Sequence, residues 1–144
     1  MMKINANERI CPECGTKYQD YPSISRVDNT TEICPMCGQK QAISQFAMLT
    51  AETYQTRDIA EWAKENPQAL EFIISSFERH LHLDWGEMDE EDVQTNNHAL
   101  VNGSRLFSSY NIPTGLCDNI SDDKIWIITE ADRSTNTILF PSEY

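Results

Sequence analysis

The chain has 144 residues, 40% hydrophobic and 24% charged, which suits one domain, or a small module joined to a domain of about 100 residues. Eleven Lys and Arg stand against 23 Asp and Glu, a net charge of −12 at pH 7. A field of that sign repels phosphate backbones and argues against direct DNA or RNA binding over most of the surface.

No apolar run approaches the roughly 18 residues that span a bilayer. Met1 to Arg9 hold no apolar signal-peptide core. The expectation is a cytoplasmic protein with no membrane association. The charge is uneven. Residues 1–46 hold five basic and five acidic side chains, so the whole excess lies in residues 47–144.

Four of the five cysteines form two matched units, Cys11-Pro12-Glu13-Cys14-Gly15 and Cys34-Pro35-Met36-Cys37-Gly38. Two C-x2-C pairs at this separation have the spacing of a zinc site. Zinc takes four thiolates in a tetrahedron, so Cys11, Cys14, Cys34 and Cys37 are the expected ligands of one structural ion. Four cysteines close the coordination shell and leave no position for a catalytic water. Two disulfides are the alternative, disfavoured without an export signal. Each Pro is expected to fix a tight turn, and each following Gly to supply positive φ. The pattern resembles the zinc ribbon over residues 10–45. Residues 17–28 alternate and predict two short strands meeting at Asp28-Asn29. Such a module buries too little apolar surface to fold without its metal.

Residues 42–50 read as a linker or a short strand. Ile59, Trp62 and Ala63 share one face of a helix over 56–66. Asn66 can cap the next helix with Pro67 at its first position. There Leu70, Ile73, Ile74, Phe77 and Leu81 form the predicted buried stripe. The stretch Asp84-Trp85-Gly86-Glu87-Met88-Asp89-Glu90-Glu91-Asp92 packs six carboxylates into nine positions. Asp89 can cap a helix running through Val93, Asn97 and Leu100 to Gly103. Six carboxylates exceed what capping needs, so the excess is either a solvated helix start or a phosphate-like surface for a cationic partner. The stretch lacks the Gly and Glu that an EF-hand requires. His80, His82 and His98 are read as surface or packing residues, with a second metal at His80-x-His82 the weaker alternative. Cys117 is a leftover thiol, read as partly buried.

Residues 105–112 either extend a helix or begin a strand, and Ile112 to Gly115 form a turn. Residues 124–130 and 137–141 predict a hairpin that packs on the amphipathic helices. The expected fold is α+β: an N-terminal zinc ribbon over 1–46, then an acidic helical and antiparallel hairpin domain over 47–144. No nucleophile elbow, H-E-x-x-H or phosphate loop is present, so no enzymatic activity is expected.

The stretches Asp84-Trp85-Gly86, Asp89-Glu90-Glu91-Asp92, Lys124 to Ser134 and Pro141-Ser142-Glu143-Tyr144 carry a resemblance. Over residues 78–144 the chain is similar to a family of small plasmid- and phage-associated proteins of undefined activity. With the zinc ribbon in front, it resembles the zinc-containing anti-CRISPR proteins that inhibit type II-A Cas9. The resemblance implies a counter-measure to antiviral defence, acting in a bacterial cytoplasm. It would bind a basic surface of Cas9 and block loading of target DNA. The expected contacts are Glu87, Asp89, Glu90, Glu91 and Asp92, with Trp85 as aromatic anchor or as plain core. The alternatives are a DNA-mimic inhibitor of a restriction enzyme and a zinc-ribbon regulator that contacts nucleic acid.

Overall fold

A computed structural model describes residues 8–116 and 120–144. The head begins with two small antiparallel ladders. β1 (Arg9–Ile10) pairs with β2 (Lys17–Tyr18), and β3 (Ser23–Ile24) pairs with β4 (Glu32–Ile33). The two strands expected over 17–28 therefore form but do not pair with each other. Asp28-Asn29 lies in the β3–β4 turn. Asn29 takes φ +60°, and the Asp28 carboxylate accepts the amides of Thr30 and Thr31 at 2.9 Å. A short polar side chain that captures its own backbone supplies such a turn.

The largest departure from expectation follows the second cysteine pair. Residues 35–50 form one helix, α1 (Pro35–Thr50), where a knuckle and a linker were expected. Cys34 is the N-cap and its sulfur accepts the Cys37 amide at 3.4 Å. Pro35 sits at the start, where its missing N–H costs nothing and its fixed φ is helical. Gly38 consequently needs no positive φ. Its role is close approach: a Cβ there would lie 2.5 Å from the Ser23 Cβ. Only Gly15 of the pair adopts φ +73°. The expected boundary after residue 46 falls inside α1, which packs on β3, α3 and α4.

The rest is α+β. β5 (Glu52–Gln55) leads to α2 (Arg57–Glu65) and α3 (Pro67–Leu81), then to α4 (Glu90–Asn102). β6 (Leu106–Asn111), β7 (Lys124–Thr129) and β8 (Thr135–Leu139) follow, with a closing 3₁₀ turn at Pro141–Glu143. The sheet order is β5-β8-β7-β6. The expected β7–β8 hairpin is present, residues 106–111 resolve as strand, and β5 adds a parallel edge to β8. Asn66 caps α3 through the amides of Gln68 and Ala69, with Pro67 next, as expected.

Side chains alternate across a strand, so Leu106, Ser108, Tyr110, Ile125, Ile127, Thr129, Asn136 and Ile138 share one sheet face. All are buried there. At one end they join Ile59, Trp62 and Ile73 of α2 and α3. At the other, Leu106 joins Met48 of α1, Leu83, Trp85 and Leu100. The predicted stripe on α3 is rotated. Ala69, Ile73, Ser76 and His80 point inward, and Leu70 and Ile74 are exposed. The inward His80 is tolerated because both ring nitrogens are hydrogen-bonded between the two apolar clusters. No helix among the described residues is long and apolar enough to cross a membrane.

Candidate metal centre

The two cysteine pairs meet in space. The sulfurs of Cys11, Cys14, Cys34 and Cys37 all lie within 4.8 Å of one another. Cys14 Sγ and Cys34 Sγ are 3.8 Å apart. Four sulfurs at 2.3 Å from one ion in a tetrahedron stand about 3.8 Å from each other, so the donor set and spacing fit one tetrahedral metal. Backbone amides support the sulfurs. Cys34 N donates to Cys11 Sγ at 3.3 Å, and Cys37 N to Cys34 Sγ at 3.4 Å. Such donors orient thiolates and disperse their charge. Tyr18, Ile33 and three of the cysteines form a small core around the centre. Cys14 is the exposed member.

The local electrostatics also fit a cation. Burial, then contact with Cys34, pushes the Cys37 thiol far above its ordinary value, and burial likewise raises Cys34. Thiolates are disfavoured there unless a positive charge joins them. Hydrogen bonds from Thr16 pull Cys14 down to about 6. The arrangement can hold one metal ion and brace α1 through the ligand Cys37 and the capping sulfur of Cys34. Cys117 lies outside the described residues.

One link between head and body was not foreseen. Glu13, inside the first cysteine pair, places a solvent-sealed Oε2 2.8 Å from Nδ1 of His98 on α4. The approach is an ion-pair distance without the alignment of a directed hydrogen bond. Its signal was hidden because the partners are far apart in sequence.

The acidic stretch divides into paired and free groups. Arg79 makes forked hydrogen bonds to Asp84 at 2.8 and 3.2 Å and holds that carboxyl below its usual range. The same guanidinium stands 3.7 Å from Glu87, which also accepts the Asn111 amide. Asp89 is the α4 N-cap and accepts the Asp92 amide at 2.8 Å. Glu90, Glu91 and Asp92 are exposed on the first turn of α4, with no cationic side chain paired to them among the described residues. Of the two readings of Trp85, plain core is the one the structure has. It is 3% exposed, donates its indole N–H to Asn97 at 2.9 Å and packs edge-on against His80. His80 is fully buried, so neither surface exposure nor a metal at His80-x-His82 describes it. His82 is exposed and bonded to the Glu78 carbonyl. Among the described residues, the four cysteines are the only cluster with metal-site spacing.

A second acidic face went unnoticed in the sequence. Asp58, Glu61 and Glu65 line a groove of about 650 Å³ with Asp122 also in its wall and Trp62 and Phe140 among its lining residues. The i, i+3, i+7 spacing of the α2 carboxylates was the available signal. Comparison with known proteins yields no relative. No family model, curated protein or solved structure matches this chain.

Proposed function

We propose that this protein is a zinc-braced acidic inhibitor that docks on the cationic nucleic-acid channel of a bacterial defence nuclease, Cas9. One observation carries the reading. Glu90, Glu91 and Asp92 project from one rigid helical turn, unpaired within the described chain, in a molecule of net charge −12. Carboxylates held on a helix stand in for phosphates at little conformational cost. The Asp84 and Glu87 carboxylates, already engaged by Arg79, frame the patch rather than lead the contact.

The identity of the target rests on the resemblance carried by the zinc ribbon and residues 78–144 together, and the sign of the target's surface rests on charge. The metal is zinc in this reading, because an all-thiolate tetrahedron suits it. The ion is structural, and inhibition occurs by occupancy of the DNA-binding channel, not by turnover.

The test is equilibrium binding of the purified protein to guide-loaded Cas9. The protein should bind, compete with target DNA and weaken as salt rises. The triple variant Glu90→Gln, Glu91→Gln, Asp92→Asn should bind at least about tenfold more weakly, a loss of about 1.4 kcal/mol. Undiminished affinity of the triple variant would reduce the patch to a solvated helix end. Preference for duplex DNA over Cas9 would reverse the sign of the partner.

A further inference from the structure

α1 buries one side against the rest of the molecule and leaves large apolar side chains exposed on the other. Its inward face holds Cys37, Gln41, Ser44 and Met48. The opposite face presents Met36, Ile43, Phe46 and Leu49, which are 60%, 61%, 68% and 54% exposed. Large apolar side chains left exposed together on one face of a helix mark an interface. We infer that the outer face of α1 is a two-fold interface between two copies of this chain.

Charge selects that occupant. α2, α3 and α4 each carry at least two carboxylates, whereas α1 carries none and has Lys40 as its one charged residue. The face therefore offers nothing to the basic partner that the acidic patches suit. It is also the helical surface on which two copies of net charge −12 meet with least repulsion. An isologous contact requires a self-complementary surface, and the α1 pattern supplies one. Met36, Ile43 and Thr50 recur at intervals of seven, the spacing of a helix–helix seam. In an antiparallel pair with the two-fold axis at Ile43, each Ile43 meets its counterpart and Met36 faces Thr50. Lys40 then falls across from Phe46 of the second copy, an ammonium over an aromatic ring. The two Lys40 charges are offset by about 9 Å along the axis. Met36, Ile43 and Phe46, which face the seam, offer on the order of 350 Å² per copy. Two such faces fall below the roughly 1,000 Å² of a stable specific interface, in the range of weak association. The expected species is a weak dimer that dissociates on dilution.

Sedimentation equilibrium of the metal-loaded full chain, from about 1 μM to about 1 mM, reads this directly. The weight-average mass should climb from one chain toward two. Ile43→Glu places two carboxylates on the axis and should raise the dissociation constant at least about tenfold. Ile74→Glu on α3, half exposed outside this face, should leave it unchanged. Helical circular dichroism confirms folding, and Phe46→Gln serves as the milder variant. A constant single-chain mass across the range overturns the inference, as does a dimer indifferent to Ile43→Glu and Phe46→Gln. A monomer whose binding to Cas9 falls on Ile43→Glu overturns it in favour of the heterologous partner.

Discussion

Arg133 reaches across the molecule to Ser44, its Nε donating to the Ser44 hydroxyl at 2.8 Å. Arg133 sits in the β7–β8 turn with φ +60°, and Ser44 lies on the inward face of α1. The same guanidinium donates to the carbonyls of Ser104 at 2.6 Å, Glu130 at 3.2 Å and Ala99 at 2.9 Å. One buried fork thus joins α1, the C-terminal end of α4 and the hairpin. The helix dipole favours a cation at that end of α4. Burial draws the Arg133 pKa down, yet an arginine stays charged.

Removing that fork strands the buried Ala99 carbonyl and the buried Ser44 hydroxyl. Arg133→Ala should destabilise the fold by about 3 kcal/mol, because each orphaned acceptor loses its partner without regaining water. Arg133→Lys should recover only part of the loss, since an ammonium cannot span three directions. Urea unfolding at neutral pH measures both. Equal midpoints for wild type and Arg133→Ala would contradict the clamp.

Local chemistry was legible in the sequence wherever neighbours along the chain decide it. Asn66-Pro67 announced the start of α3, Asp89 the start of α4, and the cysteine spacing the metal centre. α1 was hidden because the same five residues that resemble a zinc knuckle also satisfy a helix start, and because residues 42–50 lack polar alternation. A helix with Gln41 and Ser44 on its buried face and Ile43 and Phe46 on its exposed face gives no apolar period that points to the core. The rotation of α3 was hidden for a different reason. His80 is buried by partners on β6 and β7, Ser108 and Thr129, which no local pattern connects to it. Likewise β5 has exposed side chains at all four positions and joins the sheet through parallel pairing with β8, a long-range choice. The acidic patch was legible as composition. Which of its charges are free depended on where Arg79 folds back.

The loop before α4 should be intolerant at Gly86. Gly86 has φ +80°, and a Cβ there would stand 2.0 Å from the Ser109 carbonyl oxygen and 2.7 Å from the Tyr110 ring. The flanking bonds, Ser109 N to the Trp85 carbonyl at 3.1 Å and Glu87 N to the Ser109 carbonyl at 2.7 Å, hold the loop against β6. Gly86→Ala should cost about 3 kcal/mol or more, combining backbone strain with a clash. Gly103→Ala has φ +79° but open space, and should cost only about 1 kcal/mol. Comparable thermal midpoints for the two variants would count against the close packing at Gly86.

Stability should fall with acid through His80. Its Nδ1 lies 2.6 Å from Ser108 Oγ and its Nε2 lies 2.7 Å from Thr129 Oγ1, which in turn donates to Asn136 Oδ1 at 2.6 Å. Thr129 therefore accepts from Nε2–H, and in the neutral ring Nδ1 accepts from Ser108. Burial, with the charge of Arg133 second, holds the pKa down at about 3 against an ordinary 6.5. A depressed base favours folding fully above about pH 6.5, and that contribution is lost as pH falls toward 3, by up to about 1.4 kcal/mol per pH unit. Unfolding free energies at pH 7.5, 6 and 5 should decline for wild type and decline less for His80→Gln. Parallel declines in the two proteins would remove His80 from the account.

Metal removal should propagate beyond the head, because Cys34 and Cys37 begin the helix that carries Gln41, Ser44 and Met48 into the body. Gln41 accepts the Arg26 amide at 2.9 Å and donates to Ser25 at 3.2 Å, and Asn136 donates to the Met48 carbonyl at 3.0 Å. Loss of the ion frees the first turn of α1, then the β3 contact at Gly38, and loosens the sheet from that side. Elemental analysis should find about one zinc per chain. Chelation or Cys37→Ser should lower helical circular dichroism as well as the thermal midpoint. A metal-free sample with the full helical signal and an unchanged midpoint would show that the four thiols pack without an ion.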